Sequence, residues 1–430
     1  MKILFVPSAE PSHVVAMAPA VWAARLAGHD IRVAAAPSVV GTVVDAGLTA
    51  VPVGTDHTMG ELLETHGAAV ENEIADWSDP FAGVHSWESI LLKYQVAIPY
   101  GLALYTEPVL DDIVRFARSW QPHVVVWDQL AYAGPIAARA CGAASARLLW
   151  MVDIYSAMRA VFLDTAAEEP LVRHQDPLRE WLSALLGSYG LDYDETVVHG
   201  DFTIDQIPSS VQLPSEHHVQ RARFSPYNGR SVVPSWLSDE PAPRHARDAV
   251  RPRVCVTGST SFGSGTGGGF LPISECLEAL ADLDVDVILT LGRTDRSTLG
   301  TIPGNVQTVD FAPFHVLLPT CSAVVHHGGY GTWATSITYG VPQLTIPIRH
   351  GDLWIRGSRT ESIGAAVNVH PTALTAPLLA SVVADLVDPN GIHAAEAQTL
   401  SDEVAATPSL VDVAAEFDSL VRDFSPAAVR

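Results

Sequence analysis

Residues 322–335 read Ser322-Ala323-Val324-Val325-His326-His327-Gly328-Gly329-Tyr330-Gly331-Thr332-Trp333-Ala334-Thr335. The run opens with apolar residues, a pattern typical of a buried parallel strand. It breaks at paired glycines and resumes with helix-compatible spacing through Tyr339. A strand, a glycine loop and a helix in this order present free backbone N–H groups at the positive end of the helix, where a phosphate group can bind. The run therefore predicts an anion site, although a purely structural turn would use the same glycines.

Side chains within this loop favour the anion site over the structural turn. His327 and the Thr332 hydroxyl can add hydrogen-bond donors to the backbone amides of Gly328, Gly329 and Gly331. A turn alone requires neither a histidine nor a hydroxyl at these positions. We therefore expect this loop to hold phosphate oxygens.

Length and charge limit the classes of protein that fit. A chain of 430 residues is too long for one ordinary core and indicates two domains. The formal net charge of −23 argues against nucleic acid or an anionic membrane as partner, because both need a basic surface. An anionic ligand must therefore be held by local donors.

The composition also predicts a cytoplasmic location. No apolar run approaches the roughly 20 residues of a membrane span, and the basic-poor start leads directly into a strand pattern, unlike a signal peptide. The four cysteines lack metal-ligand spacing and indicate core thiols in a reducing compartment. They are Cys141, Cys255, Cys276 and Cys321.

Strand-like and helix-like segments alternate in both halves of the chain, which predicts an α/β architecture with two doubly wound parallel sheets. A segment rich in Pro, Gly, Ser and charge has the composition of an interdomain linker. We predict an N-terminal domain at 1–225, a linker at 226–252, a C-terminal domain at 253–408 and a helix within 409–430 that returns to the first domain.

Two insertions interrupt the first half. Residues 153–216 have an irregular, helix-rich pattern, and residues 56–105 are acidic and aromatic. The second segment suits a large apolar ligand or a protein partner, and ordinary packing of an insertion explains it equally well. Its aromatic residues include Trp77, Phe81, Trp87 and Tyr94.

Ligands of parallel sheets bind beyond the carboxyl ends of the strands, and two candidate catalytic residues follow strands of the first half. His13 comes after the first strand and could take a proton from a hydroxyl group. Asp128 ends a later strand and could orient the imidazole and stabilise its cation. Asp128 could instead cap the next helix, and His13 could be an ordinary helix-start residue.

Two further loops of the second half are candidates for ligand binding. The loop 258–269 fits a dinucleotide motif poorly, because its glycines lie several residues beyond the strand; contact with a phosphate through Gly258, Ser259 or Thr260 fits better. Asp352 follows another strand and could bind ligand hydroxyls or cap the next helix. We expect Arg356 and Arg359 to cover the surface of that helix.

The whole chain resembles family 1 glycosyltransferases of actinobacterial antibiotic pathways, and within them the macrolide and anthracycline deoxysugar (often aminosugar) transferases. The resemblance lies in the His-His-Gly-Gly-x-Gly-Thr motif with the Gly-Val-Pro-Gln that follows it. It also lies in these segments: Gly-Leu-Thr-Ala-Val-Pro-Val-Gly-Thr-Asp at 47–56, Ala-Arg-Leu-Leu-Trp at 146–150, Pro-Tyr-Asn-Gly and Val-Val-Pro-x-Trp-Leu within 226–237, and Leu-Leu-Pro-Thr-Cys at 317–321.

This resemblance implies a GT-B fold, with two Rossmann-like domains facing across a cleft, the acceptor on the first and the nucleotide-sugar on the second. It implies inverting transfer of a deoxysugar from a dTDP-sugar to a polyketide-type aglycone, with neither metal nor cofactor. By position, His13 resembles the catalytic base and Asp128 its acidic partner. The remaining positions match as follows: His327 the α-phosphate ligand, Gly331 and Thr332 the β-phosphate binders, Phe311 the nucleobase platform, and Asp352 the sugar-binding acid.

The chain departs from the family pattern at three positions. Tyr330 replaces a small residue, Thr335 stands where plant relatives have a ribose-binding glutamate, and Leu353 stands where hexose-using relatives have a glutamine. The resemblance also implies a cytochrome-P450-like activator protein as a partner, with 56–105 as its docking surface. We also expect a homodimer. A catalytically silent binding protein and a nucleotide-sugar epimerase are the alternatives.

Overall fold

The computed structural model describes residues 1–59, 76–81, 85–170, 175–238, 251–258, 273–291 and 299–424. The chain divides into two compact units. Unit 1 comprises Met1–Ile207, Gln212–Arg223 and Pro408–Arg430, and unit 2 comprises Pro208–Val211 and Phe224–Thr407. The end of the chain therefore belongs to unit 1, where the carbonyl of Ala414 lies 3.0 Å from His29 Nε2.

Unit 1 contains a seven-stranded parallel sheet in the order β3-β2-β1-β4-β5-β6-β7. Its central strands are almost entirely apolar and buried, as expected for a sheet covered on both faces. The strands are β1 Lys2–Val6, β2 Asp30–Ala35, β3 Ala50–Pro52, β4 Val124–Asp128, β5 Ala144–Leu149, β6 Phe202–Asp205 and β7 Val219–Arg221.

Unit 2 contains a six-stranded parallel sheet in the order β10-β9-β8-β11-β12-β13. Two apolar clusters pack against it, one including Val256 and Leu344 and the other including Cys255 and Val324. The strands are β8 Arg253–Thr257, β9 Asp286–Thr290, β10 Val306–Val309, β11 Ala323–His326, β12 Gln343–Thr345 and β13 Ala366–Asn368.

Helices connect the strands in both units. A π-helical turn, Ile98–Leu102, joins α3 to α4, and short 3-10 turns occur at Leu318–Thr320 and Pro371–Ala373. The helices of the described residues are α1 Pro11–Leu26, α2 Pro37–Asp45, α3 Trp87–Ala97, α4 Ala103–Trp120, α5 Ala133–Cys141, α6 Ile154–Glu168, α7 Pro177–Gly187, α8 Thr196–His199, α9 Ser235–Ser238, α10 Ile273–Leu280, α11 Phe314–Leu317, α12 Tyr330–Thr338, α13 Leu353–Ile363, α14 Ala376–Leu386, α15 Ile392–Ala406, α16 Leu410–Ala415 and α17 Phe417–Phe424. In these parts of the chain, no helix has the length and apolarity needed to cross a bilayer.

Both sheets reverse strand order between their first and fourth strands, which is the doubly wound arrangement. The predicted α/β class with two Rossmann-like domains is therefore confirmed. The ligand-binding edge of such a sheet lies at this reversal, between β1 and β4 in unit 1 and between β8 and β11 in unit 2.

The segment 153–216 is helix-rich as predicted, but it also contains a strand that the sequence pattern did not indicate. It contains β6, and β7 follows shortly after it; these strands have four and three residues. Runs this short are not long enough to show a period of two, so tertiary pairing and not sequence pattern defines them. Asp205 at the end of β6 is buried and pairs with Arg221 of β7.

Three of the four aromatic residues singled out in the insertion 56–105 are packed inward. Trp77, Trp87 and Tyr94 are buried. Trp77 contacts Tyr94, and both Trp87 and Tyr94 contact Phe162 of α6. Phe81, by contrast, is 58% exposed. Ordinary packing thus accounts for most of these aromatic residues, while residues 60–75 and 82–84 of the predicted docking segment lie outside the described chain.

Candidate functional sites

The first site lies at the carboxyl edge of the unit 1 sheet. Because β1 and β4 are adjacent and parallel, with Val6 opposite Trp127, the residues that follow them come together. His13, in the first turn of α1, lies with Nδ1 3.0 Å from Asp128 Oδ2. The structure thus brings together the two residues predicted for catalysis, 115 positions apart in sequence.

The Asp128 carboxylate is fully buried and accepts further hydrogen bonds. Donors are Ser8 Oγ at 2.7 Å, Trp150 Nε1 at 2.9 Å and the backbone N–H of Leu130 at 3.0 Å. Burial would raise the pKa of Asp128, but the charge and hydrogen bond of His13, with the bonds from Leu130 and Ser8, lower it overall. An ionised carboxylate only accepts hydrogen bonds, so His13 Nδ1 carries the proton and Nε2 has the free lone pair.

The imidazole of His13 is held in place from the side as well. Its ring lies edge-on to Trp150, with ring centroids 4.5 Å apart and an interplanar angle of 86°. The side chain is 12% exposed, so it remains accessible to a reacting group. Asp128 does not act as a simple helix cap, since α5 begins only at Ala133 and has no side-chain cap.

A second polar group, missed from the sequence, lies beside His13. Glu10 Oε1 accepts a hydrogen bond from Tyr105 at 3.2 Å and lies 3.4 Å from His57 Nε2. The contact with His57 lowers the pKa of Glu10 and raises the pKa of His57. These residues are far apart in sequence and show no common motif, so only the fold reveals the group.

The second site is the loop between β11 and α12. His326, at the end of β11, is buried and accepts a hydrogen bond from the Gly328 N–H at Nδ1, 3.1 Å. Its Nε2 therefore carries the proton and donates to Gln343 Oε1 at 2.9 Å. Burial lowers the pKa of His326 to about 3. This neutral histidine fixes the start of the loop, and Gly328 then takes a φ of +91°, which favours glycine.

The ring of His327 packs against Gly329. A Cβ on Gly329 would lie 2.8 Å from His327 Nε2, so only glycine leaves room for the ring. Burial, together with the nearby Arg356 cation, lowers the pKa of His327 to about 4, so the ring is neutral near pH 7. His327 Nδ1 is buried and makes no hydrogen bond to any described residue. A buried ring nitrogen without such a bond is a candidate ligand contact.

The helix that follows begins without a side-chain cap. Gly329 is the N-cap of α12, and its conformation leaves the amides of the first turn available to a ligand. Gly331 is exposed, and the Thr332 hydroxyl, half-buried, makes no hydrogen bond within the described chain. The Thr335 hydroxyl instead bonds back to the Gly331 carbonyl at 2.6 Å. The amides of Gly329 and Gly331 and the Thr332 hydroxyl therefore lie together at one helix end, whereas the Gly328 amide is already bonded to His326.

The helix α13 carries Asp352 at its start and Arg356 one turn further on. Asp352 is the N-cap of α13 but makes no side-chain cap hydrogen bond; its Oδ2 lies 2.9 Å from Arg356 Nη1. Arg356 is 1% exposed, so the prediction that it covers the helix surface is wrong. Arg359 is half-buried and donates to the carbonyls of Ser210 and Val211. Charged residues spaced along a helix usually form a solvated face, but α13 packs Arg356 inward.

The other predicted ligand-binding residues that are described lie at the ends of separate elements of unit 2. Leu353 opens α13, with Cδ2 3.8 Å from the point where a Cβ on Gly328 would lie. Phe311, two residues beyond β10, is 46% exposed. Gly258 directly follows β8, the neighbour of β11. Ser259 and Thr260 lie outside the described residues.

In the parts of the chain that the structure describes, no three His, Cys, Asp or Glu side chains are grouped closely enough to hold a metal ion. All four cysteines are free thiols.

Comparison with known proteins identifies the family. Residues 22–259 match the N-terminal domain, and residues 274–420 the C-terminal domain, of erythromycin biosynthesis protein CIII-like proteins. The chain is 36% identical to the 10-deoxymethynolide desosaminyltransferase of Streptomyces venezuelae, over 98% of this chain and 97% of that protein. It is also 36% identical to the aklavinone 7-beta-L-rhodosaminyltransferase of Streptomyces galilaeus, over 96% and 94%.

A solved structure gives the same result for the fold. The crystal structure of glycosyltransferase VinC in complex with dTDP superposes with a TM-score of 0.85, at 32% identity, covering 98% of this chain and all of that one. The GT-B fold and the enzymatic interpretation are therefore confirmed, and the silent binding protein and the epimerase lose their support. The chain belongs to the erythromycin biosynthesis protein CIII-like family of antibiotic glycosyltransferases.

Proposed function

We propose that this enzyme transfers a deoxysugar from a dTDP-deoxysugar to a hydroxyl group of a polyketide-type aglycone, with inversion and without a metal ion. The observation that carries the proposal is the buried Asp128 carboxylate bonded to His13 Nδ1, because it leaves Nε2 as a base at a ligand-binding sheet edge. Relatives along the whole chain, including a desosaminyl and a rhodosaminyl transferase, support the class of substrate.

In this reaction His13 Nε2 removes the proton of the acceptor hydroxyl. The hydroxyl oxygen forms a bond to the anomeric carbon from the face opposite the nucleotide, while the bond between that carbon and the diphosphate oxygen breaks. Asp128 stabilises the imidazolium that results. General-base help of this kind contributes about 10²–10⁴-fold to the rate.

The departing dTDP gains negative charge, which the loop of unit 2 can stabilise. We assign the α-phosphate to His327 and the β-phosphate to Gly331 and Thr332, with the amide of Gly329 as a further donor, since the Gly328 N–H is already bonded to His326 Nδ1. Donors fixed before the reaction need no reorganisation as charge develops. Neutral His327 supplies a hydrogen bond and not a full charge, in keeping with its lowered pKa of about 4.

The nucleoside and sugar take the remaining positions. We assign the thymine ring to the exposed face of Phe311 and the sugar to Asp352 and Leu353, with Gly258, Ser259 and Thr260 as further phosphate ligands. VinC, which shares the fold, was crystallised with dTDP, and this supports the choice of nucleotide.

The division of labour follows the domains. We propose that residues 1–225 bind the acceptor and residues 253–408 bind the nucleotide-sugar, with 226–252 as the linker and 409–430 packed on the first domain. The free thiols support a cytoplasmic location. A P450-like activator and a homodimer remain part of the proposal.

The test is direct. The purified chain is incubated with a dTDP-deoxysugar and a polyketide aglycone in excess EDTA, and the products are analysed by mass spectrometry. We expect glycosylated aglycone and free dTDP in equal amounts, unchanged by EDTA. Loss of product with EDTA and recovery with Mg²⁺ would overturn the metal-free mechanism.

A further inference from the structure

Arg356 has no role in the proposed site, yet it lies directly beneath the phosphate loop. Its Nη2 donates to the Gly328 carbonyl at 2.6 Å. Gly328 is the residue whose φ of +91° turns the chain between β11 and α12. The guanidinium is therefore one hydrogen bond away from the backbone that presents the loop amides.

Two aromatic rings lie within cation–π distance of this guanidinium. Its carbon lies 5.7 Å from the Tyr330 ring centroid and 5.1 Å from that of Trp333, both on α12. Trp333 is in turn bonded to Thr360 of α13 at 3.0 Å. Tyr330, a departure from the family motif, thus contributes a face on which a buried cation can rest.

Arg356 forms an ion pair with Asp352, but one of its nitrogens has no hydrogen bond to a described residue. Asp352 Oδ2 lies 2.9 Å from Nη1, but the geometry is not that of a hydrogen bond, and Nη1 makes none within the described chain. His327 Nδ1, on the same loop, is also buried without a hydrogen bond to a described residue. Such groups are rare in folded proteins and are expected where a ligand binds. Burial lowers the pKa of Arg356, yet an arginine remains charged.

We propose that Arg356 is the buried cation of the diphosphate site, which positions the loop through Gly328 and supplies the positive charge that neutral His327 does not. Asp352 shares that charge and so limits the affinity for the free nucleotide, which assists release of dTDP after transfer. This inference deepens the proposed function and rests on its choice of a nucleoside diphosphate.

The proposed role of Asp352 predicts that its replacement changes stability and dTDP affinity in opposite directions. Asp352→Asn removes the counter-charge, so it should lower the melting temperature of the free enzyme while tightening dTDP binding about threefold to tenfold. A shift of this size fits one unit charge near the ligand at an effective dielectric constant of about 20. A purely structural role of the pair predicts the opposite, because a destabilised loop binds more weakly.

The experiment is calorimetric titration of the full-length chain with dTDP in EDTA. Four variants are compared with wild type: Asp352→Asn, Arg356→Met, the double variant, and Arg359→Met. Arg359→Met is the matched control, since it removes the same charge from the same helix, and we expect its affinity to stay within twofold of wild type. Arg356→Met should bind at least tenfold more weakly than wild type.

The double variant keeps the test decisive if Arg356→Met does not fold. Replacing both charges leaves no buried ion unpaired, so this protein should fold. Its dTDP affinity should fall about threefold to tenfold below wild type, because only the bond to Gly328 and its ring contacts are lost. Equal affinity in the folded double variant and wild type, or weaker binding in Asp352→Asn, overturns the inference. Wild type that does not bind dTDP overturns the proposed donor instead, and the inference with it.

Discussion

The two ring nitrogens of His13 have separate tasks in the proposed reaction. Nδ1 donates to the buried Asp128 carboxylate, and Nε2 makes no hydrogen bond to a described residue. His13→Ala should therefore lower turnover by two or more orders of magnitude, as expected for loss of a general base. Binding of dTDP should hardly change. Steady-state kinetics and calorimetry on the same preparation check both points; near-normal turnover, or a loss explained by unfolding, counts against the assignment.

Asp128 makes the fold pH-dependent. Its pKa lies below the ordinary 3.8 in the folded chain, so the ionised form stabilises the fold above pH 3.8. That contribution is lost as the pH falls through the folded-state pKa. Asp128→Asn should therefore lower the melting temperature at pH 7, because the variant loses charge-assisted hydrogen bonds that contribute about 1–3 kcal/mol to stability. The difference in melting temperature between wild type and Asp128→Asn should shrink from pH 7 to pH 3. A difference that stays constant would contradict this.

Leu353 should select the donor sugar. Its side chain lies next to the Gly328 turn, so it can cover apolar C–H surface of a deoxysugar, worth about 25 cal/mol per Å². It cannot bond the extra hydroxyls of glucose, which would be buried at about 1–3 kcal/mol each. We expect a higher kcat/KM for a dTDP-6-deoxysugar than for dTDP-glucose, and Leu353→Gln should narrow the ratio. Equal use of both sugars by wild type rules the idea out.

At the scale of elements, the junction of β11 and α12 carries the phosphate site. Thr332 is the third residue of α12, where its hydroxyl can join the amides of the first turn. Thr332→Val should reduce dTDP affinity by about 1.5–3 kcal/mol, the range for a hydrogen bond to a charged group.

A matched control lies on the same helix. The Thr338 hydroxyl, in the last turn, bonds the Ala334 carbonyl at 2.8 Å. Thr338→Val makes the same chemical change away from the amides, and its dTDP affinity should remain that of wild type. If both variants lose affinity equally, the effect comes from the helix as a whole and not from a phosphate contact.

The same elements show how far the sequence could be interpreted alone. The β11–α12 junction was predictable because an apolar run, paired glycines and helical spacing all indicate one structure. His13 and Asp128 were predictable because both follow strands of one parallel sheet. The burial of Arg356 was not predictable, because a charged residue on a helix is expected to be exposed until its neighbours are known. Glu10, His57 and Tyr105 meet only through the fold, and β6 and β7 are too short to show a period.

At the scale of the molecule, we expect activity to depend on a partner. Exposed apolar side chains persist in the insertion 56–105, at Phe81, Leu92 and Tyr100, although three of its six Phe, Trp and Tyr residues are buried. The purified enzyme should turn over weakly and respond markedly to a P450-like activator. Phe81→Ser with Tyr100→Ser should reduce this response without changing basal turnover. Full activity of the isolated chain, unaffected by such a protein, would contradict this.

The stereochemistry of the product gives the sharpest test of inverting transfer by His13. The purified enzyme is given a dTDP-deoxysugar of known anomeric configuration and a polyketide aglycone, and the new glycosidic bond is assigned by NMR. Attack by a hydroxyl activated at His13 predicts the opposite configuration in the product, with one dTDP released per bond formed. Retained configuration, or release of free sugar in place of a glycoside, would contradict the account.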